Sequence, residues 1–283
     1  MSRIAAKASF IALVLGTVAV AGAWLDTGTA TAAAAQSDAA LDAAIAGGHR
    51  SDANRARDQY RHPAQTLGFF GIRPQMTVVE IWPGTGWYTE ILAPYLAHKG
   101  KLIIASPPGR GSASIEQLLA SKPELYGKVE RANFPSLLGG TPVAPGTADM
   151  VVTFRNVHNW RMGAMNVGNA DYSAAAFKEM FDMLKPGGVL GVVDHRLNDD
   201  ADDEKERTSG YIKVATVRAL AEQAGFRLKA SSEINANPKD RKDYPNGVWT
   251  LPPVLRLGDQ DRATYLEIGE SDRMTLKFVK PKH

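Results

Sequence analysis

From residue 77 onward the chain alternates short apolar runs with longer segments that have one apolar face. Short apolar runs bounded by turn residues predict buried strands, and the longer segments predict amphipathic helices. This alternation predicts an α/β fold in which a seven-stranded, doubly wound and mostly parallel sheet has helices on both faces. The predicted helices are Tyr88–Leu96, Ser114–Ala120, Ala174–Leu184 and Tyr211–Ala224. The predicted strands are Thr77–Ile81, Lys101–Ala105, Lys128–Ala132, Met150–Phe154, Val189–Asp194, Phe226–Ser231 and Thr275–Val279.

Three segments depart from this alternation. Residues 36–66 are predicted to be helical, and the arginine-rich stretch Ser51–His62 within them is interpreted as a solvated helix face. The acidic run Asn198–Arg207 predicts a solvated loop or a helix start, with a divalent-cation site as the alternative because hard cations bind clustered carboxylates. The long insertion at 235–272 is expected to cover one edge of the ligand-binding mouth.

The amino terminus has the three parts of a secretory signal peptide. Arg3 and Lys7 form a positive start, Ala8–Leu25 is apolar, and Thr27–Ala35 is a run of small residues. Cleavage is predicted near Ala34 or Ala35, which would leave residues 36–283 as a single domain in the periplasm or outside the cell. An uncleaved membrane anchor is the alternative, although the apolar stretch is short for a membrane span. No stable span is expected after processing.

Composition narrows the chemistry. The 283-residue chain contains no cysteine, which excludes disulfides, thiolate metal ligands and a cysteine nucleophile. The formal net charge is +3 and no long basic stretch occurs, so a nucleic-acid partner is not expected.

The segment Val78–Tyr88 combines an apolar strand, a glycine turn and a helix start. Gly84 and Gly86 allow the backbone to approach a ligand closely, and the following helix directs its free amide groups toward the same space. Position 89 is Thr, so the third glycine of the dinucleotide-binding fingerprint is missing. The pattern therefore favours an adenosyl amino-acid ligand over a dinucleotide.

This turn resembles motif I of the class I S-adenosylmethionine-dependent methyltransferases. The junctions Leu184–Leu190 and Ala224–Phe226 resemble the approaches to the fifth and sixth strands of that fold, and the resemblance spans roughly residues 50–280. The pairing with Val157–Trp160 and Val193–Arg196 resembles a group of exported bacterial proteins predicted to be methyltransferases. The resemblance implies a final antiparallel strand and S-adenosylmethionine as cofactor. It places Glu80 near the methionine amino group and implies that the cofactor is lined by Trp82, Pro83, Gly84, Thr85 and Gly86.

Two positions depart from the family pattern. Ser106 stands at the end of the second strand, where an acid usually binds both ribose hydroxyls. Loss of a charge-assisted bond of that kind costs about 1.5–3 kcal/mol. Asn133 stands where an Asp often contacts the adenine amino group, and its side-chain oxygen could still accept that bond. Phe134 could stack on the base or pack in the core.

Polar residues follow the fourth and fifth strands and are expected to face the cofactor and the acceptor. Arg155 and Asn156 are candidate cofactor contacts. His158, Asp194 and His195 are candidate catalytic residues, since two histidines at neighbouring strand ends suggest a general base or a metal pair. Structural hydrogen bonding across the loops is the alternative. Asp194 and His195 need not touch, because adjacent strand residues point to opposite faces. No metal is expected.

The resemblance thus implies an S-adenosylmethionine-dependent methyltransferase whose acceptor is a small molecule or a surface-associated group. The alternative is a catalytically inactive exported binding protein that keeps the fold, because export separates it from the cytosolic cofactor pool and the ribose acid is absent. An oxidoreductase is disfavoured by the missing third glycine. A hydrolase is disfavoured because no Gly-x-Ser-x-Gly elbow occurs.

Overall fold

The computed structural model describes Met1, residues 38–109 and residues 113–282. The predicted signal peptide lies almost entirely outside these residues. Within them, no helix has the length and hydropathy needed to cross a membrane. Residues 36–283 form one compact unit.

Four helices precede the sheet, and eight further helices and eight strands follow in the described residues. The first four are α1 Ala39–Ala46, α2 Asp52–Arg55, α3 Asp58–Arg61 and α4 Pro63–Phe70. The later helices are α5 Thr89–Leu96, α6 Ala113–Ser121, α7 Pro123–Tyr126, α8 Val157–Arg161, α9 Ser173–Met183, α10 Lys205–Thr208, α11 Val214–Ala224 and α12 Arg262–Ile268. The strands are β1 Thr77–Ile81, β2 Lys101–Ser106, β3 Glu130–Asn133, β4 Ala148–Phe154, β5 Leu184–Leu197, β6 Ile212–Lys213, β7 Arg227–Ser232 and β8 Arg273–Val279.

Seven strands form the main sheet in the order β3-β2-β1-β4-β5-β8-β7. The pairs from β3 to β5 are parallel, while β8 runs antiparallel to both β5 and β7. This confirms the predicted seven-stranded sheet and its antiparallel last strand. The eighth strand, β6, is short and pairs only with the end of β5.

The two faces of the sheet bury separate apolar clusters, because successive side chains of a strand point to opposite sides. Val79 and Ile81 face the cluster that contains Trp160 and Phe177 from α8 and α9. Val78 faces the cluster that is built with α1, α4, α5 and α6. Both faces are thus covered by helices, as the apolar strands predicted.

Three local predictions are corrected by the structure. The segment Tyr211–Lys213 is not the start of a helix, because Ile212 and Lys213 form β6 beside β5. The junction after α9 belongs to a 14-residue β5 that begins at Leu184. The arginine-rich stretch 51–62 is solvated only in part, since Ser51 and Asp52 are exposed whereas Arg61 of α3 is buried. The Arg61 guanidinium lies over the Trp87 ring and forms an ion pair with Glu270, which is described below.

Most of the acidic run 198–207 is exposed, as predicted, but Glu206 is buried. Its carboxylate accepts hydrogen bonds from the Lys213 amide at 2.8 Å and the Thr216 hydroxyl at 2.7 Å. Arg161 is its ion-pair partner at 3.3 Å. Glu206 therefore has a structural role in joining α10 to α8 and the start of α11.

Candidate functional site

The glycine turn lies where β1 ends and α5 begins, at the edge of the sheet formed by the carboxyl ends of the parallel strands. Gly84 has a φ of +61° and a Cβ built on it meets no described atom within 4 Å. Gly86 has a φ of +86°, but its Cβ would meet side chains of Leu118 and Ile115 on α6 at 2.2 and 2.8 Å. Gly84 and the exposed Thr85 therefore face open space. Position 86 requires a glycine for a different reason, because α6 packs directly against its backbone.

Trp82, at the start of the turn, also has a left-handed φ of +48°, a conformation that is uncommon for a bulky residue. Its indole Nε1 donates to the carbonyl of Phe134 at 2.8 Å. The ring packs edge-on against Trp160, with 6.0 Å between centroids. The Trp82 side chain thus connects the ends of β1 and β3 and does not project into solvent. The next residue of the turn, Pro83, is half-buried.

Asn156 holds this turn in place from the adjacent loop after β4. Its side-chain Nδ2 donates to the carbonyl of Ile81 at 2.9 Å and to the hydroxyl of Thr153 at 3.1 Å. The amide of Asn156 is thereby engaged with the protein, so its observed role is to position the end of β1.

Glu80 points into the protein and is only 1% exposed. The Thr89 hydroxyl of α5 donates to its Oε2 at 2.6 Å. Burial raises the pKa of Glu80 to about 7, although the Thr89 hydrogen bond acts in the opposite direction. The carboxyl group therefore links β1 to the first turn of α5.

Ser106 and Asn133 lie side by side, because the ends of β2 and β3 are in register at these residues. The Ser106 hydroxyl is buried and has no hydrogen-bond partner among the described residues. It borders a cavity of about 290 Å³ that Asn133 and Thr141 also line. The Asn133 oxygen accepts the Thr141 amide at 2.8 Å, which leaves one lone pair for a ligand.

Phe134 belongs to the core and is completely buried. Its ring packs against Trp160 with 5.4 Å between centroids. Of the two roles considered for this ring, stacking on a base is thus contradicted, because other side chains already cover it.

His158 and Asp194 form a buried pair across the ends of β4 and β5. The His158 Nδ1 lies 2.7 Å from Asp194 Oδ1, and the backbone amide of His158 donates to Asp194 Oδ2 at 3.2 Å. Asp194 is completely buried and His158 is 2% exposed. Because Nδ1 is engaged by the carboxylate, Nε2 of His158 is the atom left to accept a proton.

His195 joins this pair. Its backbone amide donates to Asp194 Oδ1 at 2.7 Å, and its ring lies 5.0 Å from the His158 ring between centroids. Its Nδ1 is hydrogen-bonded to the Ser271 hydroxyl. Burial, followed by the charges of His158 and Arg155, lowers the pKa of His195 well below its ordinary value. His195 is therefore a neutral imidazole near pH 7.

The three side chains also form a candidate metal cluster. Ligand atoms of His158, Asp194 and His195 lie within 4.8 Å of one another. However, the Asp194 carboxylate and the His158 ring already form a hydrogen bond with each other. This is the arrangement of a carboxylate that orients a histidine.

The structure brings the predicted catalytic residues His158, Asp194 and His195 together. Arg155, predicted as a cofactor contact, has a left-handed φ of +64° and lies near enough to Arg57, Arg273 and Glu270 for their charges to act on its pKa. The sequence pattern did not predict Ser271 or these charged neighbours of Arg155. The signal available in the sequence was the density of arginines before α4 and the charged run directly before the last strand.

No family model matches the chain, and no curated protein matches it in sequence. Solved structures do resemble it. An S-adenosylmethionine-dependent methyltransferase from Aquifex aeolicus is 16% identical, with a TM-score of 0.53 over 80% of this chain and 93% of the other. A candidate sarcosine dimethylglycine methyltransferase from Galdieria sulphuraria is 14% identical, with a TM-score of 0.54 over 81% and 85%.

The [4+2]-cyclase SpnF is also similar, at 14% identity and a TM-score of 0.54 over 86% of this chain and 92% of the other. Identities this low establish the fold and leave the reaction open. The strand order, the antiparallel last strand and these neighbours agree. The chain has the fold of the class I S-adenosylmethionine-dependent methyltransferases.

Proposed function

We propose that the protein is an S-adenosylmethionine-dependent methyltransferase. The observation that carries the proposal is the open, left-handed Gly84 at the end of β1, in a sheet whose ligands bind at the carboxyl ends of the strands. The residues present fit an adenosyl amino acid. Gly84 and Thr85 would lie against its amino-acid part, and the unpartnered Ser106 hydroxyl would donate to or accept from the ribose.

When bound, S-adenosylmethionine would supply an electrophilic methyl group on a positive sulfonium. The chain's own residues would align the acceptor with that carbon, which supplies most of the rate. For a hydroxyl or amine acceptor, Nε2 of His158 would take the proton that the nucleophile loses. Asp194 would hold the ring in the required tautomer and stabilise the imidazolium that forms.

A non-catalytic binding protein with the same fold is the second candidate. Its support is the serine at position 106, which lacks the charge that binds a ribose strongly, and the Asn133 oxygen already engaged by Thr141. The cyclase among the structural neighbours illustrates that this fold is not restricted to one named reaction.

Calorimetry of the full chain with S-adenosylmethionine and S-adenosylhomocysteine tests the proposal. We expect both ligands to bind the wild type, and Gly84→Val to abolish binding because the valine would fill the open space. Gly146→Val is the matched control: Gly146 has a φ of +67° and open space, but precedes β4 at the opposite edge of the sheet. The control should bind like the wild type.

No heat from the wild type at millimolar ligand would exclude the methyltransferase. Equal binding by Gly84→Val and the wild type would place the ligand elsewhere and remove the observation on which the proposal stands.

A further inference from the structure

Three arginines contact one buried carboxylate beside the catalytic candidates, and a fourth lies near enough for its charge to act on that carboxylate. Arg57 Nε donates to Glu270 Oε1 at 2.7 Å, Arg61 Nε to Oε2 at 3.0 Å, and Arg273 Nη1 to Oε2 at 3.1 Å. Arg155 is the fourth, since its charge contributes to lowering the pKa of Glu270. These four residues are called the arginine cluster.

The arginine cluster carries more positive charge than its partner neutralises. Burial alone would raise the pKa of Glu270, but the four guanidinium groups outweigh it and lower the pKa to about 2. Glu270 is therefore ionised at neutral pH, and it is the one carboxylate that forms ion pairs with this cluster in the described residues. Four cations facing one anion leave an uncompensated charge, which is costly in a buried position.

Several donors of the cluster are unused. The Nη2 atoms of Arg57 and Arg61 are buried without a hydrogen-bond partner, and the Arg61 side chain is only 2% exposed. The half-buried Arg155 side chain forms no hydrogen bond or ion pair with any described residue. A guanidinium has five N–H donors, and buried donors in native proteins are normally satisfied.

The arginine cluster lies beside His158 and His195. Arg273 is the cross-strand partner of His195 in the β5–β8 ladder, and Arg155 directly follows β4. Arg155, Arg273 and Arg61 all contribute to lowering the pKa of His195. Arg155 and Arg273 therefore lie at the edge of the sheet that carries His158 and His195.

The same charges argue against a divalent cation at His158, Asp194 and His195. Uncompensated guanidinium groups repel a cation and attract an anion. The histidines alone could accommodate either a metal cation or an anionic molecule. The positive charge around them favours the anion.

We propose that the arginine cluster binds the oxyanion group, a carboxylate or a phosphate, of the molecule that is methylated. Planar guanidinium groups hold both kinds of oxyanion with paired hydrogen bonds. The identity of this molecule as a methyl acceptor rests on the proposed function, whereas binding of the oxyanion does not.

Calorimetry of the full chain at low ionic strength tests the site, with inorganic phosphate and acetate titrated separately. We expect one saturable site for at least one probe. Arg155→Gln should weaken binding at least about tenfold, because it removes a charge-assisted bond. Its folding should be unaffected, since the Arg155 side chain has no partner to lose among the described residues. Arg218→Gln removes the same charge from the exposed face of α11, where Glu222 is the ion-pair partner of Arg218 in the described part of the chain, and should bind like the wild type.

Binding of acetate alone, of phosphate alone or of both, with loss in Arg155→Gln, supports the site and identifies the preferred oxyanion. No saturable binding to the wild type, or equal binding by Arg155→Gln, overturns it. S-adenosylmethionine titrated into the same wild-type sample separates the two proposals. Cofactor binding without oxyanion binding refutes only the arginine site, and the reverse result refutes only the methyltransferase.

Discussion

Glu80 carries a carboxyl group in an almost fully buried position, and among the described residues its one side-chain partner is the Thr89 hydroxyl. A single neutral hydrogen bond does not offset the loss of hydration, so the protonated form is favoured and the pKa is raised to about 7. The effect of Glu80 on the free energy of unfolding therefore depends on pH.

Glu80→Gln should change the pH dependence of stability. Because the pKa of Glu80 is higher in the folded state, the folded protein holds more protons and loses stability as pH rises from about 4.5 to 7. Glutamine cannot ionise, so its advantage over the wild type in free energy of unfolding should grow by about 3 kcal/mol across that window. Urea denaturation at several pH values measures this difference.

Glu124→Gln, at an exposed position, is the matched control and should run parallel to the wild type. A Glu80→Gln difference that stays constant with pH would show that Glu80 is ionised throughout, contrary to the effect expected from its burial.

At the scale of elements, α4 packs against the sheet, and one of its contacts with β5 is very close. A Cβ on Gly191 of β5 would lie 2.6 Å from the ring of Phe70, which is completely buried. The strand therefore requires a glycine there so that the ring can approach the backbone. This requirement depends on the position of α4 and is invisible in the pattern of β5 itself.

Gly191→Ala should lower the free energy of unfolding by about 1–3 kcal/mol, because an added methyl group overpacks the contact. Gly68→Ala, within α4, should have the opposite effect and raise the free energy of unfolding by about 0.5–1 kcal/mol, since its Cβ meets no atom of the described residues within 4 Å. Denaturant midpoints compare the two variants. Combining Gly191→Ala with Phe70→Leu should show strong coupling, and simple additivity would contradict the proposed contact.

At the scale of the whole molecule, the proposed cellular location of the protein determines which ligands are available to it. Export to the periplasm or beyond, proposed from Arg3, Lys7 and the apolar and small residues that follow, would separate the protein from cofactor made in the cytosol. An exported methyltransferase would then need S-adenosylmethionine supplied across a membrane. The location of the protein therefore affects whether it acts as an enzyme or as a non-catalytic binding protein.

A fusion of residues 1–60 to a reporter that is active only outside the cytosol should be active in a bacterial host. Leu13→Arg, which interrupts the apolar stretch, should abolish reporter activity, whereas Gln36→Arg, beyond the predicted cleavage site, should not. An inactive wild-type fusion would contradict export and remove the difficulty of cofactor supply.

Periodicity predicted much of the fold because buried strands and amphipathic helices bury their apolar positions at fixed spacing. β1 was predicted at its observed bounds, and α9 and β8 nearly so. β6 was missed because its two residues are extended only through pairing with the end of β5. Arginines in the stretch 51–62 were assigned to solvent because charge usually indicates exposure, whereas Glu270, distant in sequence, allows Arg61 to be buried.

The sequence by itself determined the order along the chain of the seven strands of the main sheet, the position of the glycine turn and the placement of two histidines after neighbouring strands. These features depend on local spacing and on the rule that parallel strands end at one edge. Only the tertiary structure decided that Phe134 belongs to the core, that Asp194 orients His158, and that the arginine cluster lies beside Glu270. Each of these depends on contacts between residues far apart in the chain, whose partners no local pattern specifies.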